Sequence, residues 1–92
     1  MRRLLTFDPA CAYEVDPRVA IRPEPFGALA YHYGNRRLTF LRDPALVTLV
    51  RTLGEHPSAD DALDAAGVAE ARRPAFRKAL SSLAASEVIR AR

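Results

Sequence analysis

The sequence has few of the residues from which disulfides and metal sites are built. It contains one cysteine, Cys11, two histidines and no tryptophan among 92 residues. A single cysteine cannot form a disulfide within the chain, and a zinc site normally needs three or four Cys, His or carboxylate ligands. Because His32 and His56 have no such residues at ligand spacing around them, the sequence predicts no metal site.

Long apolar runs are also missing. A transmembrane helix needs about 18 to 20 consecutive apolar residues, and no stretch approaches that length. The first five residues resemble the start of a signal peptide, but Asp8-Pro9 interrupts them before an apolar segment of useful length forms. We therefore expect a cytoplasmic protein that does not contact a membrane.

The patterns of catalytic sites are absent as well. No serine lies in a G-x-S-x-G nucleophile elbow, and there is no glycine-rich phosphate loop. Asp60, Asp61 and Asp64 have the spacing of a solvated helix face more than that of an acid–base pair. These absences indicate a chain that is not an enzyme on its own and that needs no cofactor.

The composition is that of one small globular domain, with 49% hydrophobic and 27% charged residues. The net charge of +3 arises from 13 arginines and one lysine among 11 carboxylates. This moderate excess permits binding to nucleic acid or to an acidic peptide without requiring either.

The segment from Phe26 to Leu41 predicts a β-hairpin around Gly34-Asn35, because glycine suits the first position of a two-residue type II′ turn. The register of such a hairpin places its bulky apolar residues on one side of the sheet, which we expect to cover the core. These residues are Leu29 and Tyr31 on the first strand, opposite Phe40 and Leu38 on the second.

Strand and helix signals surround the hairpin. Residues 18–22 predict a strand that pairs with 26–33, and the Pro23-Glu24-Pro25 segment predicts a stiff connector. Three helices follow, and their bounds are marked by N-caps, prolines and glycines. They run from the Asp43-Pro44 cap to near Gly54, from Ser58 to Gly67, and from about Arg72 to Ser86.

This order of elements predicts an α+β fold. We expect a small winged-helix-like domain over residues 18–92, with a three-stranded antiparallel sheet followed by three helices. Residues 1–17 predict an extended N-terminal arm, and residues 90–92 are expected to fray.

A basic cluster lies at the start of the third helix, which is the element that reads DNA in helix-turn-helix proteins. It consists of Arg72, Arg73, Arg77 and Lys78, and no Asn, Gln, Ser or Thr lies between them to read base edges. The cluster is compatible with DNA binding, with binding of an acidic peptide, and with a solvated helix face.

The strand over residues 36–41 has no later strand to pair with, so it forms a free edge. An extended peptide can pair with such an edge by β-augmentation. Alternatively, Arg36, Arg37 and Arg42 protect the edge by charge. The residues alone leave both functions open.

The run VAIRPEPFGALAYHYGNRRLTFL, followed by a capped helix and LGEHPSADDALDAAGV, resembles the peptide chaperones of mycofactocin biosynthesis. Those proteins belong with the pyrroloquinoline-quinone-type (PqqD-like) peptide chaperones, the recognition elements of ribosomally synthesised and post-translationally modified peptides (RiPPs). The resemblance extends from about Phe7 to Ile89. It implies a non-catalytic winged-helix-like domain that binds the leader region of a precursor peptide as an added strand. It also implies delivery of that peptide to a radical S-adenosylmethionine maturase, which itself holds the iron–sulfur clusters and S-adenosylmethionine.

The resemblance places the peptide in a groove between the third strand and the third helix. The main-chain groups that hold it belong either to Arg37, Thr39 and Leu41 or to the alternate set of Arg36, Leu38 and Phe40. The resemblance implies no nucleic-acid or membrane partner. The small core is compatible with a homodimer. The alternative function, which the basic cluster on the third helix leaves open, is that of a winged-helix DNA-binding regulator. The candidate peptide-binding residues are Arg36, Arg37, Leu38, Thr39, Phe40, Leu41, Arg73, Phe76, Arg77 and Leu80.

Overall fold

The structure, a computed structural model, describes residues 7–92. Residues 1–6, which include the signal-peptide-like start and part of the expected arm, lie outside the described residues. The elements are β1 (Tyr13–Val15), β2 (Val19–Glu24), β3 (Gly27–His32), β4 (Leu38–Leu41), α1 (Pro44–Thr52), α2 (Ala59–Ala65), α3 (Arg73–Ala85) and β5 (Ile89–Ala91). Short 3₁₀ turns at 53–55 and 70–72 precede α2 and α3. The predicted α+β fold, with a three-stranded antiparallel sheet and three helices, is confirmed.

The three-stranded sheet has the order β2-β3-β4, so β4 lies at one edge. The predicted register of the hairpin is confirmed, because Tyr31 lies opposite Leu38 and Leu29 lies opposite Phe40. The predicted extent of β2 is wrong, since the strand continues through Pro23 to Glu24. Proline is tolerated there because β2 is the other edge strand of the sheet.

The hairpin loop is wider than the predicted two-residue turn. A type II′ turn needs a positive φ at Gly34, but the loop residue with a positive φ is Arg36, at 64°. The imidazole of His32 explains the difference, because its Nδ1 accepts the N–H groups of both Gly34 and Asn35, at 2.9 and 3.0 Å. A buried side chain thus stabilises a wider loop, where turn propensities alone predict a two-residue turn.

The sheet covers the core with the opposite face from the one predicted. Ala28, Ala30 and Leu41 are at most 1% exposed, whereas Leu38 and Phe40 are 57% and 52% exposed. The prediction was wrong because it gave the core the bulkier face. The helices supply the bulk instead, and small residues on the sheet allow them to approach closely. The large, fully buried helix and turn residues are Leu49, Val50, Leu53, Leu63 and Leu80.

The helix caps agree with the predictions from the sequence. The carboxylate of Asp43 accepts the Ala45 N–H at 2.9 Å, with Pro44 at the first helical position. The hydroxyl of Ser58 accepts the Asp61 N–H at 3.0 Å. Gly67, with a φ of 70°, follows α2. These signals are local, so they do not depend on how the chain packs.

The C-terminal residues are ordered, and the expectation that residues 90–92 fray was wrong. β5 pairs antiparallel with β1, so that Tyr13 lies opposite Ala91 and Val15 lies opposite Ile89. The Arg90 guanidinium also donates to the Glu14 carboxylate at 2.8 Å. Strands of three residues are too short to show periodicity, so the sequence did not predict this pairing of residues 13–15 with residues 89–91. The division into an arm over 1–17 and a domain over 18–92 stays a prediction.

The carboxylate of Asp16 links β1 to β2 and is 3% exposed. It accepts hydrogen bonds from the main-chain N–H and the guanidinium of Arg18, at 2.8 to 3.1 Å. The guanidinium of Arg18 is the main reason that the pKa of Asp16 is lowered from 3.8 to about 2. The charged carboxylate is therefore favoured in the folded state.

This shift predicts a loss of stability in acid. A carboxyl with a depressed pKa in the folded state contributes its full stabilisation above its unfolded pKa and loses it as the pH falls through the folded pKa. We therefore expect Asp16 to contribute about 2 kcal/mol to the free energy of unfolding above pH 4, and to lose most of it by about pH 2. Urea unfolding at several pH values measures this contribution. Asp16→Asn should flatten the profile in that window, whereas Glu55→Gln, which changes an exposed carboxylate, should not. An unchanged profile for Asp16→Asn would contradict the prediction.

Candidate functional site

The outer edge of β4 presents main-chain groups that face away from the sheet. The N–H of His32 donates to the carbonyl of Arg37 at 3.0 Å, so the main-chain groups of Arg37 point towards β3. Directions alternate along an antiparallel strand, so Thr39 also points towards β3, and Leu38 and Phe40 point outwards. The hydrogen bond from the Tyr33 N–H to the Arg18 carbonyl, on the other side of β3, agrees with this alternation.

The outward groups of β4 are open. Over residues 7–92, no other main-chain group bonds to the main chain of Leu38 or Phe40. The opposite edge of the sheet, formed by β2, offers fewer donors, since within the described chain only Ile21 of its outward residues Val19, Ile21 and Pro23 has a free main-chain N–H. Pro23 has no N–H to offer there, and the Val19 N–H already donates to the Asp16 carbonyl. Of the two edges, β4 therefore offers the more complete set of main-chain donors and acceptors to a further strand.

A groove lies between the start of α1 and the first two turns of α3 with the 3₁₀ turn before it. No residue of β4 lines it, whereas the resemblance placed a groove between the third strand and the third helix. Its volume is about 350 Å³, and Asp43, two residues beyond the end of β4, lies on its wall. Asp43 also pairs with Arg72 at 2.9 Å, and the Arg72 guanidinium lies 4.9 Å from the ring centre of Phe76. The groove therefore combines an apolar floor with one ion pair at its rim. Its lining residues are Asp43, Leu46, Ala71, Arg72, Ala75, Phe76 and Ala79.

The candidate residues from the sequence fall into three groups in the structure. Arg36, Arg37, Leu38 and Phe40 are exposed on β4 and its loop, and Thr39 is half-buried. A second group lies in the core, where it can shape the site from beneath. This group consists of Leu41 and Leu80, which are fully buried, and Phe76, which is 5% exposed and reaches the groove.

The third group consists of Arg73 and Arg77, whose charges are already paired. Arg73 contacts the Asp64 carboxylate and donates from Nε to the Val68 carbonyl at 3.0 Å. Arg77 pairs with Asp60 at 3.1 Å. The basic cluster at the start of α3 thus holds α2 and α3 together, and carboxylates neutralise much of the charge that would attract a phosphate backbone.

Sequence reasoning missed most of the groove, although a signal for it was present. Ala71, Ala75 and Ala79 recur every four residues, which places three small side chains on one face of α3 and its preceding turn. This stripe is the recessed wall of the groove. Asp43 was recognised only as a helix cap, a role that it also fulfils.

No metal site accompanies the groove. Across the part of the chain that the structure describes, no cluster of three or more His, Cys, Asp or Glu side chains could hold a metal ion. The same residues contain no helix that is long and apolar enough to cross a membrane.

Comparison with known proteins assigns the chain to a family. The sequence model of the peptide chaperone MftB family matches residues 12–90, which span the described fold from β1 to β5. The chain belongs to the MftB family. The resemblance noted from the hairpin and the first two helices is thereby confirmed.

Three curated MftB peptide chaperones resemble the chain over most of its length. The protein from Mycolicibacterium smegmatis is 45% identical over 85 residues, which cover 92% of this chain and 83% of that protein. Those from Mycobacterium ulcerans and Mycobacterium tuberculosis are 43% and 42% identical, over 90% of this chain and 76% of each relative. No solved structure matches the chain. Membership of the MftB family makes this a peptide chaperone by its family name.

Proposed function

We propose that this chain binds the leader region of a ribosomally synthesised precursor peptide as an added strand on β4. In this proposal it delivers the peptide to a radical S-adenosylmethionine maturase in mycofactocin biosynthesis and performs no catalysis itself. One observation carries the proposal: the main-chain groups of Leu38 and Phe40 face outwards, at an edge that ends beside a groove. This geometry favours the set of main-chain donors that contains Leu38 and Phe40 over the one that contains Arg37, Thr39 and Leu41.

The energetics of this site are adequate for a transient complex. Leu38 and Phe40 each offer one N–H and one C=O, so about four hydrogen bonds would form, worth roughly 0.5–1.5 kcal/mol each. Each leader side chain buried in the groove would add about 1.5–3 kcal/mol. Ordering of the peptide opposes these gains by about 2–5 kcal/mol. We therefore expect a dissociation constant between about 10 and 0.1 μM, or about 7–10 kcal/mol.

The groove would supply the selectivity of binding. Main-chain hydrogen bonds form with any extended sequence, so they contribute affinity without discrimination. The groove is bounded by small side chains and by the Asp43–Arg72 ion pair, which would select leader residues by size and polarity. Candidate contact residues therefore include Phe76 and the groove-lining alanines of α3, beside the residues of β4.

The alternative function, a winged-helix DNA-binding regulator, has less support. Arg72, Arg73 and Arg77, three of the four basic residues at the start of α3, are paired with carboxylates on α2 or at the start of α1. A protein that binds the phosphate backbone of DNA displaces counterions from the DNA. Added salt opposes this release, so the affinity falls steeply as the salt concentration rises. Salt dependence therefore separates the two functions.

Calorimetric titration of the full chain with the precursor peptide tests the proposal. We expect one-to-one binding at micromolar concentrations or tighter, which a scrambled leader does not reproduce and which persists at about 0.5 M salt. Ala75→Leu should weaken binding about tenfold by filling the groove. Ser81→Leu is the matched control, because Ser81 is exposed on the same helix and does not line the groove. Absence of heat with the intact peptide would contradict the proposal.

A further inference from the structure

The outer face of the three-stranded sheet, on the side opposite α1, is apolar and exposed over β3 and β4, and the Arg22–Glu24 ion pair of β2 borders it. Among the described residues, the exposed large hydrophobic side chains are Tyr33, Leu38 and Phe40, which are 66%, 57% and 52% exposed. All three lie on this side of the sheet. Alternation along the strands adds the half-buried side chains of Leu29 and Tyr31. Such clustering of apolar side chains marks an interaction surface more often than scattered exposure does.

Contacts between aromatic rings hold this outer face in one arrangement. Phe26 stacks on Phe40 with ring centres 5.7 Å apart, and Tyr31 meets Tyr33 edge-on at 4.9 Å. The Arg42 guanidinium lies 5.9 and 5.3 Å from the ring centres of Phe26 and Phe40. Phe26 and Arg42 already lie against the ring of Phe40, so a nucleic-acid base could stack there only in competition with these contacts, whereas the exposed part of the ring can still pack against apolar side chains of a protein.

The charges at the border of the outer face indicate the chemistry of that partner. Arg36 and Arg42 flank the two ends of β4, and neither pairs with a carboxylate of residues 7–92. A second copy would bring like charges together across a two-fold axis, which disfavours a dimer through this face. A partner surface with an apolar centre and a carboxylate border would be complementary.

We infer that the outer face docks the maturase, through an apolar patch on the enzyme that is bordered by Asp and Glu. This inference rests on the proposed function, since it assigns the surface that meets the enzyme. A peptide strand added to β4 would continue both faces of the sheet, so alternate peptide side chains would project on the same side as Leu38 and Phe40. An enzyme seated on the outer face would therefore touch the bound peptide as well, and peptide and enzyme should strengthen each other's binding.

The test compares binding of the purified maturase with binding of the precursor peptide. Tyr31→Ser/Tyr33→Ser and Arg42→Glu alter the outer face without changing the main chain of β4. We expect each to weaken maturase binding at least about tenfold and peptide binding by less than about twofold. Arg51→Glu, at an exposed position on α1 across the sheet, is the charge-matched control and should bind both partners as the wild type does. Tyr33→Ser alone serves if the double variant fails to fold, as judged by its thermal melt.

The outcomes separate this inference from the proposed function. Selective loss of maturase binding supports the outer face as the docking surface. Unchanged maturase binding, or equal loss of both partners, overturns it. If the wild type binds the peptide but not the maturase, peptide recognition stands and the docking surface falls. If the wild type binds the maturase but not the peptide, the proposed function fails while the outer-face variants still test the docking. Two further results would overturn the inference. One is a wild-type dimer in sedimentation that these variants abolish, and the other is binding of a single-stranded oligonucleotide that they abolish.

Discussion

Phe40→Pro is expected to weaken binding of the leader peptide by a factor of about 30 to 150 while the domain stays folded. Proline removes the outward N–H of residue 40, and its ring occupies the space where the added strand would approach. One carbonyl of the bound peptide would then be left without a partner, so the expected loss is about 2–3 kcal/mol. Titration of the variant with the precursor peptide measures this loss.

Two further variants assign the effect to the main chain. Phe40→Ala removes the ring but keeps the N–H, so it should retain most of the affinity. Thr39→Pro removes an N–H that points towards β3, so it should lower the free energy of unfolding. The sheet already contains a natural example of the tolerated kind, since Pro23 lies in the edge strand β2. Equal affinities for Phe40→Pro and Phe40→Ala would show that no strand is added at this edge.

Gly27→Ala is expected to destabilise the domain by about 4 kcal/mol or more, a large part of the free energy of unfolding of a small domain. Gly27 has a φ of 145°, a region that L side chains rarely adopt. A Cβ at this position would also lie 2.1 Å from the carbonyl oxygen of Leu41, which belongs to the backbone and cannot rotate away. Either the β2–β3 corner or the end of β4 must move, and the open edge of β4 would move with it.

Gly67→Ala provides the matched control for this prediction. Gly67 also has a positive φ, at 70°, but a Cβ there would meet nothing within 4 Å. The expected cost is about 1–2 kcal/mol, from the left-handed conformation alone. Urea unfolding of both variants compares the two costs. Similar values would mean that the close approach of Gly27 to Leu41 contributes little to stability.

The sequence allowed correct prediction of the features that depend on near neighbours. The caps at Asp43 and Ser58 bond to N–H groups two and three residues away, so packing has no part in them. The register of the hairpin follows from the position of Gly34-Asn35 midway between its strands. The family resemblance rested on the same part of the chain, and the family match confirmed it.

Features that depend on distant parts of the chain could not be predicted in this way. The buried face of the sheet was misassigned because the size of its residues is set by the helices, of which α1 packs directly on β3 and β4. Pairing of β1 with β5 joins residues 13–15 to 89–91, and neither strand is long enough to show a pattern. The outward direction of the Leu38 and Phe40 main-chain groups is set by the pairing of His32 with Arg37 beside the hairpin loop, and that pairing depends on the type of loop.

The pairing of β1 with β5 has a consequence for the topology of engineered forms. Because Phe7 packs on Tyr13 and Tyr13 lies opposite Ala91, a short linker could join the two ends of the described fold, and the chain could be reopened elsewhere as a circular permutant. The same closeness would allow the fold to be inserted into a surface loop of another protein. In both arrangements the junctions leave from the two-stranded sheet, and the β2-β3-β4 sheet keeps its own connections. The fold could thus be transferred to another protein with the hairpin and its open edge unchanged.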